Sequence, residues 1–286
     1  MAITTATEFR IGGVIMQSIS TLRNNIVAFL LISLIVTVLT YVAIFVVFLV
    51  FFGAALMGGG SGMESGGMMN ALSLGFSAIL GIIIAFVVVI AINQLGVAAI
   101  TYGTVQDLRS RKAGVGECLS QGLAVVVPVL GVAIVSALII VVLALVAFFI
   151  LNFIHAVLGA IAAFIVAIGG FIVFWVAVPI AVIERPGVIA SLTRSVSLTA
   201  GYRWHILGIY LLLIVIALGF AIVLMIVTAI FGFISGTLGS IVQFVLNVGF
   251  SLVATAFVAV LAAVGYYSLR VTKEGGDIHD IAKVFD

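Results

Sequence analysis

Between Ala181 and Tyr210 the sequence AVIERPGVIASLTRSVSLTAGYRWHILGIY gathers the side chains best suited to ionic chemistry in an otherwise apolar chain. Glu184, Arg185, Arg194 and Arg203 supply charge, Ser191, Ser195 and Ser197 supply hydroxyls, and Tyr202, Trp204 and His205 supply amphipathic rings. The serines stand outside any G-x-S-x-G setting, so nucleophilic catalysis has no support here. The arginines beside Tyr202 and Trp204 suit another task. An arginine fork grips a phosphate, and interfacial aromatics sit at headgroup depth. A second polar stretch, Arg270, Lys273, Glu274 and Asp277, follows the last apolar run.

Other candidate chemistry is thin. His155, His205 and His279 follow no spacing that assembles a metal site. Met63, Met68 and Met69 are thioethers that suit Cu(I), but no His or Cys accompanies them in GAALMGGGSGMESGGMMNA. That segment, 53–71, reads as a flexible outer loop. No phosphate-binding or dinucleotide fingerprint occurs, and neither a metal nor a cofactor is expected. Cys118, the single cysteine, can form no intrachain disulfide and reads as a small residue at the edge of a span.

The elements that must position these groups follow from solvent. Hydrophobic residues make up 65% of 286 and charged residues 7%, whereas soluble domains carry about 25% charged. Too few charges exist to cover a water-facing surface, so lipid surrounds most of the chain. A hydrocarbon layer of about 30 Å takes about 20 apolar helical residues. Six runs satisfy this, near 26–52, 72–102, 123–151, 157–183, 206–231 and 241–267. The first exceeds a signal-peptide core and reads as a retained span. The predicted fold is all-α: one membrane domain of six spans over 1–286, with 268–286 as a tail.

Charge sets the expected orientation. All 11 Lys and Arg lie before span one, between spans two and three, between spans four and five, or after span six. The connections at 53–71, 152–156 and 232–240 have none. The positive-inside rule then places both termini in the cytoplasm. On that side each odd span is preceded by an amphipathic segment: Ile11, Ile15, Ile19 and Leu22; Val115, Leu119 and Leu123; Ile189, Leu192 and Val196. Spacings of three and four place these on one helical face, as expected for helices lying in the interface.

Within the spans no ionisable residue lies near mid-membrane, where one is a functional candidate by default. Asn93, Gln94, Gln243 and Asn247 are expected to hydrogen-bond between helices, and the many glycines to allow close helix approach. Pro128 and Pro179 are expected to kink their spans.

Two motifs carry a resemblance. Glu184, Gly187, Ala190, Arg194-Ser195, Leu198, Gly201 and Trp204 form an E…G…A…RS…L…G…W pattern. Tyr266, Tyr267, Leu269, Arg270, Glu274, Gly275 and Asp277 form a Y-Y-x-L-R…E-G…D pattern. Together they resemble the glycerophosphodiester phosphodiesterase membrane-domain family of bacterial inner-membrane proteins. The resemblance implies a six-helix fold and an inner-membrane location. The members that give the family its name carry a soluble phosphodiesterase domain after the membrane part, so no catalytic residue carries over. The expected function is non-catalytic: binding or organising lipid, or a partner protein, at the cytoplasmic face, in envelope or lipid homeostasis. A transporter or channel component for a lipid or small apolar solute is the alternative, and a lipid-headgroup enzyme ranks below it. Expected partners are membrane lipids, a membrane protein or a second copy, not nucleic acid. The candidate contact residues are Glu184, Arg194, Ser195, Arg203, Trp204, Arg270, Glu274 and Asp277, with Glu184 and Glu274 expected to pair with the arginines.

Overall fold

A computed structural model of the chain describes residues 9–57 and 67–275. Among the described residues every regular element is a helix and none is a strand. The helices are α1 (Ile11–Asn24), α2 (Ile26–Met57), α3 (Gly67–Leu108), α4 (Val115–Ala124), α5 (Val126–Asn152), α6 (Ala156–Val173), α7 (Ala177–Ile183), α8 (Val188–Thr199), α9 (Arg203–Ile234) and α10 (Gly236–Glu274). Six helical stretches are long and apolar enough to cross a membrane, α6 and α7 together counting as one. They form three hairpins: α2 with α3, α5 with α6–α7, and α9 with α10. The short helices α1, α4 and α8 precede the first, third and fifth spans, as the spacing predicted.

Three expectations need correction and a fourth is met. Helix extends into the connection 53–71 from both sides, to Met57 and from Gly67. Ala54, Ala55 and Leu56 on one side and Ala71 and Leu72 on the other are strong helix formers. Met63 and Glu64 lie outside the described residues. The start of the tail is helical too. α10 runs on to Glu274, supported by an i,i+4 pair between Arg270 and Glu274, and ends at Gly275 with φ 64°, a left-handed cap open to glycine. Span four is broken, as Pro179 suggested. Without an N–H, Pro179 cannot bond the carbonyl four residues back, at Trp175, and the chain between α6 and α7 makes three-residue turns, with the Ala177 N–H donating to the Phe174 carbonyl. Finally, Asn93 donates to the Val89 carbonyl and Asn247 to the Gln243 carbonyl. Each amide serves its own helix rather than a neighbour, because the residue four back is always within reach.

Apart from Gly81, Gly159 and Gly239, the buried residues lie at the end of the bundle that carries the charges. Phe29, Ile32 and Val36 bury the start of α2, Ala98, Ala99 and Ile100 the end of α3, Val129 and Val132 the start of α5, and Ile206 and Ile209 the start of α9. α10 buries Ala256, an unbroken run from Ala259 to Tyr266, and Leu269. Glycines let these helices meet. A Cβ on Gly96 would strike Val36, one on Gly103 would strike Phe29, and one on Gly265 would fall inside the Trp175 ring. Towards the opposite end the close approaches are within hairpins: Gly81 on Phe51, Gly159 on Asn152, and Gly239 on Gly232.

The three short helices turn an unexpected face to the bundle. The buried residues of α1 include Ser18 and Thr21, those of α4 are Cys118 and Gly122, and those of α8 include Ser191, Ser195 and Thr199. The predicted apolar stripes divide: Leu192 is buried and Ile11, Ile15, Leu22, Val115 and Leu119 pack on the core, whereas Ile19 is 48% exposed, Leu123 62% and Ile189 67%. Small side chains permit close packing on the spans, and their hydroxyls are satisfied by carbonyls one turn back, as Ser18 is by Val14 and Ser191 by Gly187.

Candidate functional site

The charged end holds one closed constellation. Glu184 caps α7, and the Arg185-Pro186-Gly187 turn redirects the chain into α8, with φ of 51° at Arg185 and 96° at Gly187. Arg194, on the second turn of α8, pairs through Nε with Glu184 Oε2 and through Nη2 with Glu274 Oε1 at 2.8 Å. Glu274 Oε2 accepts from Arg270 Nε at 3.1 Å, and Arg270 Nη1 lies 3.9 Å from Glu184 Oε1. Two carboxylates and two guanidinium groups therefore alternate around a ring. Tyr266 sits at its apolar edge, 2% exposed, donating to Glu184 Oε1 at 2.5 Å and accepting from Arg270 Nη1 at 3.2 Å. Burial works against the charge of Arg194, but the hydrogen bond and charge of Glu184, together with Glu274, outweigh it and raise its pKa.

A ring with two charges of each sign is neutral, so it clasps helices rather than attracting an ion. It joins α7, α8 and α10. Lys273 adds a bond from Nζ to the Ser197 carbonyl at 2.5 Å, again from α10 to α8. The cavity beside the ring, between Leu108, Ile183 and Tyr266, measures about 20 Å³. That is room for about one water molecule.

Ser195 has a separate purpose. The break in span four leaves the Val173 carbonyl without its helical donor, and Ser195 Oγ supplies one at 2.8 Å, with Thr199 Oγ1 at 3.3 Å. An unsatisfied backbone carbonyl in an apolar setting is costly. The hydroxyls of α8 therefore stabilise the break and fasten α8 to α6.

A second, smaller node ties α4 to α3. Glu117 Oε1 accepts from Tyr102 OH at 2.9 Å and from Arg111 Nη2 at 3.0 Å. Arg185 Nη2 reaches across to Gln121 of α4 at 3.1 Å. Beneath this node Cys118 is fully buried, and loss of solvent together with the Glu117 charge pushes its thiol up to about 11.

Of the candidate residues, Glu184, Arg194, Arg270 and Glu274 come together, with Ser195 on the neighbouring turn. Arg203 and Trp204 do not join them. They begin α9, where Trp204 is 81% exposed, and Tyr202 and His205 pack instead on Phe9 at 5.5 and 6.2 Å between ring centroids. Asp277 lies outside the described residues. The residue missing from the candidate contacts is Tyr266, which the sequence offered only as part of the second motif. Its position four residues before Arg270, and so on the same helical face, was the available signal. Among the described residues no group of three or more His, Cys, Asp or Glu could hold a metal ion. Comparison of the chain with protein-family models, curated proteins and solved structures returned no match.

Proposed function

We propose that this is a non-catalytic, multi-pass protein of a bacterial inner membrane, with its charged end and both termini in the cytoplasm, that binds and organises phospholipid at that face. The observation that carries this reading is the outward face of the short helices. Met16, Ile19, Leu123 and Ile189 are exposed there, at the same end as Arg23, Lys112 and Arg203, cations that make no ion pair among the described residues. Exposed apolar side chains beside unpaired cations suit an anionic lipid interface, where each basic residue contributes about 1 kcal/mol. Trp204, next to Arg203, suits the same depth. Membership of the glycerophosphodiester phosphodiesterase membrane-domain family belongs to this proposal. It agrees with the convergence of both motifs on one site, where Glu184, Arg194, Tyr266, Arg270 and Glu274 interlock.

Native mass spectrometry of the protein in mild detergent tests the reading. Wild type is expected to retain anionic phospholipid, and Arg203→Ala/Trp204→Ala to retain less while unfolding at the same temperature. Retention of zwitterionic and anionic lipid in bulk proportion, unchanged in the variant, would refute it. A second reading, a transporter component for a lipid or apolar solute, draws on the exposure of the hairpins away from the charged end, where Phe153 and Phe233 are 90 and 92% exposed. It requires uptake into vesicles that depends on the protein.

A further inference from the structure

A second hollow, a groove open on one side, lies away from the ion-pair ring. It lies where the corner between α1 and α2 meets the connection from α3 to α4, and it measures about 330 Å³. Its wall has two parts. Asn24, Asn25 and Lys112 line one side, and Ile26, Val27 and Leu31, in the first turns of α2, line the other. The polar residues stand just beyond the ends of two spans, and the apolar ones begin the hydrocarbon-facing run of α2.

The charges around it are one-sided. Lys112 is the only ionic residue in the lining. Glu117, five residues on, is engaged by Arg111 and Tyr102. Asn25 Nδ2 donates to the Thr21 carbonyl, which leaves its Oδ1 as an acceptor. The Asn24 side chain makes no hydrogen bond among the described residues. Ile26, Val27 and Leu31 are 44, 70 and 44% exposed, so the apolar wall is open on its lipid side. A cation, amide groups and an adjoining apolar wall at the end of a span match one chemistry: a phosphodiester with hydrocarbon attached.

We propose that this cavity is a phospholipid headgroup site, in which Lys112 meets the phosphate, Asn24 and Asn25 meet phosphate or glycerol oxygens, and the first acyl carbons lie along Ile26, Val27 and Leu31. The volume, at the lower end of about 300–1,000 Å³ for ligand sites, suits a headgroup rather than a whole lipid. This proposal rests on the lipid-binding reading and assigns the site that reading leaves open.

Gly114 offers a way to close the cavity without strain. It lines the space, its φ of −73° is open to any residue, and a Cβ there would meet nothing within 4 Å. The full chain is titrated with a phosphatidylglycerol in native mass spectrometry, as wild type, Lys112→Glu, Lys112→Ala and Gly114→Phe. At least one tightly held equivalent is expected in wild type. Removal of the lysine charge is expected to weaken it about fivefold, and its reversal more. Gly114→Phe is expected to eliminate it at an unchanged unfolding temperature; if that variant is unstable, the two lysine variants decide. Wild-type affinity in all of them, while Arg203→Ala/Trp204→Ala still loses lipid, overturns this site and leaves the lipid reading standing. No retained lipid in wild type overturns both. Displacement of the lipid by millimolar inorganic phosphate or glycerol 3-phosphate identifies a soluble phosphate ester as the occupant and overturns the phospholipid assignment.

Discussion

At the charged end Ile180, Leu261, Val264 and Leu269 have no exposed surface, while at the far end Phe153 and Phe233 are 90 and 92% exposed. Both regions consist of the same residue types on the same helices. The difference lies in what holds the helices together. At the charged end three hairpins and three short helices share a core, closed by an ion-pair ring whose members are as far apart in the chain as Glu184 and Glu274. At the far end each helix meets its hairpin partner through glycine, as at Gly159 and Gly239, or through a ring pair such as Phe220 on Phe250 at 3.9 Å. Lipid is as apolar as leucine, so no hydrophobic force draws the far ends together. Cross-hairpin cohesion must come from close packing, hydrogen bonds and charge.

The largest test of that contrast is Glu184→Ala. It leaves Arg194, Arg270 and the Tyr266 hydroxyl without their shared acceptor at partly buried positions, and a loss of about 2 kcal/mol is expected. Thermal unfolding in detergent measures it. Since the ring acts as a unit, Glu184→Ala combined with Arg194→Ala should cost less than the sum of the two single changes. Strict additivity would show that the ring is not a clasp.

Next in size is Gly265→Leu. Its side chain would occupy the space of the Trp175 ring, and overpacking of this kind costs about 1–3 kcal/mol. The same exchange at Gly219, where an added Cβ meets nothing, is expected to leave the unfolding temperature unchanged. Ser195→Ala follows. The Val173 carbonyl then keeps only the longer bond from Thr199, and about 1 kcal/mol should be lost. Ser195→Thr should recover part of it.

Phe153→Ala and Phe233→Ala probe the other side of the comparison and should each change stability by less than about 0.5 kcal/mol. A loss near that of Glu184→Ala would mean that the far ends are packed against something beyond their own hairpins. The smallest effect concerns Cys118. Its buried thiol, raised to about 11, is almost wholly protonated near neutral pH, and the thiolate is the reactive form. Maleimide labelling of the folded protein should be slow at neutral pH, quicken as the pH climbs towards that value, and become fast on denaturation.

Much of this architecture was legible in the residues. Whether a run spans a membrane depends on the transfer free energy of about 20 consecutive residues, a local sum that needs no knowledge of neighbours. The six spans, the all-helical class, the three short helices and the gathering of Lys and Arg on alternate connections all follow from such sums. Glu184 and Glu274 were expected to pair with the arginines from the placement of charge alone, and the structure pairs them.

Tertiary packing decided the rest. The stripe Ile189, Leu192 and Val196 marks α8 as amphipathic, yet it does not say whether lipid or protein takes the apolar side. In the fold Ser191, Leu192, Ser195 and Thr199 face inward, whereas Ile189 and Val196 face out. That choice follows from the Val173 carbonyl, freed because the Ala177 N–H turns to Phe174 and needing a donor that only a neighbouring helix brings. Tyr266 was legible only as part of a motif until α7 and α8 folded over it. The 330 Å³ cavity joins residues from the α1–α2 corner to residues that follow α3. Spans form from local transfer energies, whereas ring closure, carbonyl capping and cavities depend on contacts between segments distant in the chain, which no local sum contains.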